Sequence, residues 1–248
     1  MMFTSIFNSL KIEFKKIHGY TSILIFSLLF IILTIMDNYL VSNLNFSRPS
    51  IIAGNFGSSL FLMQIYLIYL ASSFISTEFS FGTSKYVFTG VYSINAIIIR
   101  KTLLIVLYSC ILPLLNFVIG LIILSITSSK VTEISSVFLD LFHLVVVYLL
   151  YFFFVISLAL IFTSIFLNRL YTIILTYAFL IIFGDIATQV LKEDNSILSD
   201  IISLLPFQLA NNGFNHLTYS IGTMVILLGY SLFMYVIGLF ILNKRDLT

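Results

Sequence analysis

The feature that leaves this chain fewest options is residues 141–168, LFHLVVVYLLYFFFVISLALIFTSIFLN, which contain no Lys, Arg, Asp or Glu. Wound as a helix at 1.5 Å per residue, the stretch is about 42 Å long, more than the ~30 Å of a bilayer's hydrocarbon core. Runs of the same kind recur along the chain. Of its 248 residues 60% are hydrophobic and 9% charged, against about 25% charged in a soluble domain. No soluble fold of this size buries that much apolar surface, so the solvent is lipid. The expected fold class is all-α: a polytopic membrane protein with six transmembrane helices, built as one domain over residues 1–248.

Taken in order, residues 3–17 carry Phe3, Ile6, Phe7, Leu10, Phe14 and Ile17 at three- and four-residue steps, with Lys11, Lys15, Asn8 and Glu13 elsewhere on the wheel. Too short to span, this is read as an amphipathic interfacial helix. Span 1 is expected over 20–37 and is retained, because the run is too long for a signal-peptide core and no small-residue cleavage site follows. Span 2 is expected over 55–76, with Gln64 near its middle. A charged, glycine-containing segment follows at 77–101. Span 3 is expected over 102–128, with Pro113 predicted to kink it. Span 4 covers 141–167, and its aromatic run at 148–154 is read as packing against lipid and neighbours. A tight turn at Arg169 leads to span 5 over 170–190. Asp185 is placed in its outer third, in reach of headgroups or water. Residues 192–220 read as two short outward helices separated by Pro206, dipping partway into the membrane under a cover of protein. Span 6 covers 221–242, where Gly222, Gly229 and Gly238 are expected to allow close helix approach.

Charge sets the orientation. Six spans place both ends on one side, which then holds Lys11, Lys15, Lys16, Lys85, Arg100, Lys101, Arg169, Lys244 and Arg245. The other side holds Arg48, Lys130 and Lys192. The excess puts the first side, and both termini, in the cytoplasm of a cell that carries the protein in its plasma membrane.

Chemistry is sparse. His18, His143 and His216 are scattered near span ends, without a zinc-type H-E-x-x-H pattern or a G-x-S-x-G elbow. Cys110 is the single cysteine and is read as a packing residue, and no metal site is expected. Gly82-Thr83-Ser84-Lys85 lacks the spacing of a phosphate-binding loop. The chain is therefore not expected to be an enzyme or to hydrolyse ATP, and no cofactor bound by the chain itself is expected. No charge stands at mid-span to serve an ion-coupled carrier.

The segment 77–101, TEFSFGTSKYVFTGVYSINAIIIRK, resembles the cytoplasmic element after the second span of type-2 ABC transporter permeases. That family's pattern is a Glu, a Gly-Thr four and five positions on, an amphipathic coupling helix, a Pro-x-Ser-Arg turn and a Lys entering the third span. This sequence has Glu78, Gly82-Thr83, Ser93 and Lys101 at matching offsets, and departs from the pattern at Val91 and Ile94. The layout of the whole chain is similar too.

The resemblance implies a coupling helix between spans 2 and 3, with Glu78, Gly82, Thr83, Lys85, Tyr86, Val87, Ser93 and Lys101 as the ATPase-coupling residues. It implies two cytoplasmic P-loop ATPase subunits per transporter, which carry the ATP and Mg, and a second permease copy or a sister permease. Asp185, Pro206 and Phe207 mark the gate or outer region. Nucleic acid is not an expected partner. Small permeases of this kind are similar to those of bacteriocin-immunity and phenol-soluble modulin peptide exporters of low-GC Gram-positive bacteria, so the expected cargo is hydrophobic or amphipathic, a peptide first of all. The alternatives are small-drug efflux by the same architecture, or a non-transport immunity protein that sequesters peptide with residues 192–220.

Overall fold

The structure, a computed structural model, describes residues 28–29, 31–33, 35–36, 57–80, 94–127, 134–191 and 202–245. The described parts are helical. The expected interfacial helix at 3–17, most of span 1, the centre of the 77–101 segment and residues 192–201 lie outside the described residues. In chain order the helices are α1 (Gly57–Ser80), α2 (Ile94–Thr127), α3 (Ile134–Phe166), α4 (Arg169–Tyr177), a π-helical turn (Ala178–Ile182), α5 (Phe183–Leu191), α6 (Pro206–Asn215) and α7 (Ile221–Lys244). Among the described residues three stretches are long and apolar enough to cross a bilayer: Leu141–Phe166, Arg169–Leu191 and Ile221–Lys244. The protein is an all-helical membrane protein.

The bundle is organised around α3, which packs against α1, α2, α4, α6 and α7. An α-helix that is apolar all round belongs in the middle of a protein or facing lipid, and here it is in the middle. Val147, Tyr148, Tyr151, Phe152, Phe154 and Val155 are fully buried, so the aromatic run meets protein on nearly every side and the expected share of lipid contact is not observed. The outer ring is different. Ile221, Val225, Phe233, Val236 and Phe240 of α7 are exposed, as befits a helix with one face to lipid.

Of the three glycines expected to bring α7 close to a neighbour, Gly238 does so among the described residues. A Cβ on Gly238 would stand 2.9 Å from Leu160 Cγ and 3.2 Å from the Ile161 nitrogen, whereas Gly229 has nothing within 4 Å and Gly222 has only Ser220 Oγ at 3.9 Å. Spacing alone does not tell which turn of a helix crosses its partner.

The α3–α4 turn is built by two residues. Leu167 takes a left-handed φ of 50° and donates its N–H to Thr163 O at 2.8 Å. Asn168 then caps α4, its Oδ1 accepting from the N–H groups of Leu170 at 2.9 Å and Tyr171 at 3.4 Å. The helices also extend into the 77–101 stretch from both sides, since α1 runs to Ser80 and α2 starts at Ile94. Pro113 lies inside α2.

Candidate functional site

The short helix α6 is the element that a lipid-facing bundle does not need. Pro206 opens it at its first turn, where a missing N–H costs nothing, and Leu205 O accepts from Gln208 N and Leu209 N. Its far end is a Schellman-type stop. Thr218 N donates to Gly213 O at 3.0 Å and Leu217 N to Phe214 O at 3.2 Å, with Leu217 at a left-handed φ of 51°. Leucine is an unusual choice there, and its side chain is buried in the core. Pro206, read from sequence as a separator, therefore also starts the helix that matters.

Along one face α6 buries Gln208, Ala210, Asn211, Gly213 and Phe214. Phe214 stacks on Tyr151 of α3, ring centroids 4.2 Å apart, and meets Tyr148 edge-on at 5.2 Å. Phe207 meets Phe179 of the π turn edge-on at 5.5 Å. Tyr219 donates its O–H to Ala210 O at 2.8 Å. Burial pushes the Tyr219 phenol well above its ordinary range, and neighbouring Tyr151 adds to the effect, so Tyr219 keeps its proton and stays a donor.

The polar groups on that face form a buried junction of three elements. Gln64 Nε2 of α1 donates to Asn211 Oδ1 at 2.9 Å, and Asn211 Nδ2 donates to Leu180 O in the π turn at 2.5 Å. The direction is fixed by chemistry. A backbone carbonyl only accepts, so the Asn211 nitrogen faces Leu180, its oxygen faces Gln64, and Gln64 must present its own N–H. A π turn widens the helix and commonly marks a functional position. Gly184, just beyond this one, leaves the room: a Cβ there would lie 2.2 Å from Asn211 Nδ2. Gln208 Nε2 lies 3.4 Å from both Thr188 Oγ1 and Asn212 Oδ1.

The junction also holds unspent hydrogen-bonding capacity. Gln208 Oε1 and the Tyr151 hydroxyl are buried and complete no hydrogen bond among the described residues. The Tyr151 hydroxyl lies beside the Gln64 side chain, close enough to interact with it.

Its depth can be measured from the basic end of the bundle. Arg169 Nη2 donates to the Tyr69 hydroxyl at 2.9 Å and to Ser73 Oγ at 3.2 Å, so Arg169 and Ser73 share a level. Gln64 is nine residues from Ser73 and Leu180 eleven from Arg169. At 1.5 Å per residue the two helices give about 14 Å and about 16 Å. Both place the junction near the middle of a ~30 Å hydrocarbon core. A ten-residue helix at that depth is tolerated because α3, α5 and α7 cover it.

The basic end is the second polar concentration. Besides the Arg169 contacts, with the guanidinium 5.7 Å from the Tyr69 ring, Lys101 Nζ donates to Phe74 O at 3.3 Å and stands 5.5 Å from the Phe74 ring centre. Asn243 Nδ2 of α7 donates to Asn95 Oδ1 of α2 at 2.6 Å, and Thr102 Oγ1 lies 2.9 Å from the Tyr235 hydroxyl. The end of α1, the starts of α2 and α4 and the end of α7 are thus fastened at one level.

The residues singled out from sequence divide accordingly. Lys101 is buried at the basic end. Glu78 stands in the last turn of α1. Gly82, Thr83, Lys85, Tyr86, Val87 and Ser93 lie outside the described residues. Phe207 and Pro206 sit on α6, while Asp185 is exposed on α5. Asn211, Gln208 and Tyr151 were not among them. The signal was present as the polar cluster QLANN inside an otherwise apolar region, and as Gln64 in a charge-free run.

No curated protein matches the chain. Residues 55–248, from the start of α1 onward, match the family model described as protein of unknown function (DUF2705), and the chain belongs to that family.

Proposed function

We propose that the chain is the six-span permease subunit of an ABC exporter, moving a hydrophobic or amphipathic cargo, a peptide first of all, outward across the plasma membrane. Energy comes from ATP and Mg on two separate cytoplasmic P-loop ATPases, and a second permease copy or a sister permease completes the pathway. The observation that supports this most is the fastening of the basic end. Residues 81–93, which carry Gly82-Thr83, leave from α1 and return as α2. Those two helices are held together by Lys101 on Phe74 O, and α1 is held to α4 by Arg169. A push on that segment is then delivered to several helices as one body. Along α1 the same movement reaches Gln64 and so α6, which serves as the outer gate with Phe207 at its start.

A second reading is a carrier that works without an ATPase. The π turn and the half-depth α6 favour it, because discontinuous helices at mid-membrane line the substrate path of many carriers. A peptide-sequestering immunity protein would use the outward part of 192–220 instead.

The test is purification of the tagged full-length protein in mild detergent from cells that make it at native level. A stoichiometric P-loop ATPase that remains with the wild type, hydrolyses ATP in the complex, and is lost when Glu78, Gly82 and Thr83 are replaced together is the expected result. A chain that purifies alone and still exports its cargo in proteoliposomes establishes the carrier. One that purifies alone and only binds peptide establishes the sequestering protein.

A further inference from the structure

We infer that α6 is a lid held by an exchangeable hydrogen bond: Gln64 binds Asn211 when the lid is seated and Tyr151 when it lifts. Three observations carry this. Among the described residues the Gln64 amide nitrogen donates to Asn211, on an element that reaches α1 from across the bundle, so seating α6 is what satisfies it. The Tyr151 hydroxyl, fully buried and without a completed hydrogen bond, waits beside Gln64 on the fixed helix α3. The anchor of the lid, Phe214, lies on the ring of that same Tyr151.

An unmade hydrogen bond in a buried site is costly, and a seated lid that leaves Tyr151 unsatisfied carries that cost. Lifting α6 removes Asn211 from Gln64 and frees Gln64 to meet the Tyr151 hydroxyl. The protein then loses the Gln64–Asn211 and Asn211–Leu180 O hydrogen bonds and gains Gln64–Tyr151, while Asn211 passes to water. The new bond offsets part of that loss and so lowers the cost of lifting, while the seated arrangement remains the resting one. Two discrete packings of that kind are what a gate requires. The inference stands on the seat of α6 and needs no ATPase, so its failure leaves the coupling proposal untouched and the reverse holds as well.

The experiment is thiol labelling of the full-length protein in proteoliposomes with a membrane-impermeant maleimide. Cys110, the single native cysteine, is replaced by Ser. The reporter is Ala210→Cys, on the fully buried face of α6, and Thr218→Cys, at an exposed position beyond it, reports reagent access. Ala210→Cys is expected to label on the order of tenfold more slowly than Thr218→Cys. Adding Asn211→Leu is expected to raise the Ala210→Cys rate on the order of tenfold, the scale of one buried hydrogen bond. Gln64→Met removes the partner of both arrangements and is expected to change the rate less than Asn211→Leu does, and Asn211→Ser covers the case in which Asn211→Leu does not fold. Tyr151→Phe is expected to slow labelling when Gln64 is present and to change nothing in the Gln64→Met background.

An Ala210→Cys rate that neither Asn211→Leu nor Asn211→Ser alters overturns the lid. A Tyr151→Phe effect of equal size with and without Gln64 overturns the exchange, since it makes the hydroxyl a passive unsatisfied group.

Discussion

Gly238 of α7 and Leu160 of α3 stand so close that a Cβ on the glycine would approach Leu160 Cγ to 2.9 Å, with the Ile161 backbone nitrogen at 3.2 Å behind it. The leucine tip can turn aside, but the backbone cannot. Gly238→Leu is therefore expected to force α7 off α3 and to cost about 2 kcal/mol or more, the scale of core overpacking. Gly229→Leu, which meets nothing within 4 Å, is expected to change stability by less than about 0.5 kcal/mol. Thermal unfolding of the two variants in one detergent checks the pair, and equal shifts would contradict the packing.

Arg169 uses one nitrogen on two partners from α1, the Tyr69 hydroxyl and Ser73 Oγ, and lays its charge near the Tyr69 ring. Lysine keeps the charge and loses the planar fork. Arg169→Lys is expected to lower stability by about 1–2 kcal/mol, the scale of charge-assisted hydrogen bonds. Tyr69→Phe added to it is expected to cost less than Tyr69→Phe alone, because the two share a contact. A double-mutant cycle by thermal unfolding measures the difference.

Asn211→Asp tests the direction of the hydrogen bonds at the junction. Leu180 O accepts and cannot donate, so a carboxylate at position 211 would face it without a proton between them. The protonated acid can donate there, and burial also favours the neutral form, so the folded-state pKa of this variant lies above the ordinary ~3.9. For a carboxyl with a raised folded pKa, stability is present below the unfolded value and is lost as pH rises through the folded one. The variant is expected to approach wild type near pH 4 and to weaken steadily toward pH 7, while wild type shows no such loss. Unfolding temperatures across that pH range decide it; a flat difference would mean that position 211 makes no hydrogen bond to Leu180 O in the folded protein.

What the sequence made legible follows the strength of its periodic and compositional signals. Charge-free runs announced the helices, since a membrane leaves a polar backbone no other choice, and α7 starts at Ile221 behind the Ser220 cap. The turn at Arg169 was readable because a single charge between two apolar runs must reach water. The junction was not readable as a unit. Gln64 and Asn211 are 147 positions apart, and nothing local to either announces the other. The π turn left no trace either, since AFLII is as good an α-helix as its neighbours until Asn211 and Gly184 are in place. Gly238 differs from Gly229 only through the crossing point of α3, which is tertiary information.

Phe214 is an anchor that nothing in the sequence singles out, one aromatic in a chain with 26 phenylalanines. It is fully buried against Tyr148 and Tyr151, on an element that also touches the bundle through Phe207 and its amides. Lipid is as apolar as a protein core, so little of its contribution is hydrophobic transfer; what remains is packing and the two ring contacts. At about 0.5–1.5 kcal/mol for each aromatic pair, Phe214→Ala is expected to cost about 2 kcal/mol once lost van der Waals contact is included. Phe214→Leu fills much of the space and is expected to recover about half of that. The loss should be local to α6. Protease cutting or hydrogen exchange near residues 206–217 should therefore rise more than exchange in α3, whose own core residues keep their other partners. An equal rise in both would mean that α6 and α3 unfold as one unit, and that Phe214 is a core residue of the whole bundle and not the anchor of a separate lid.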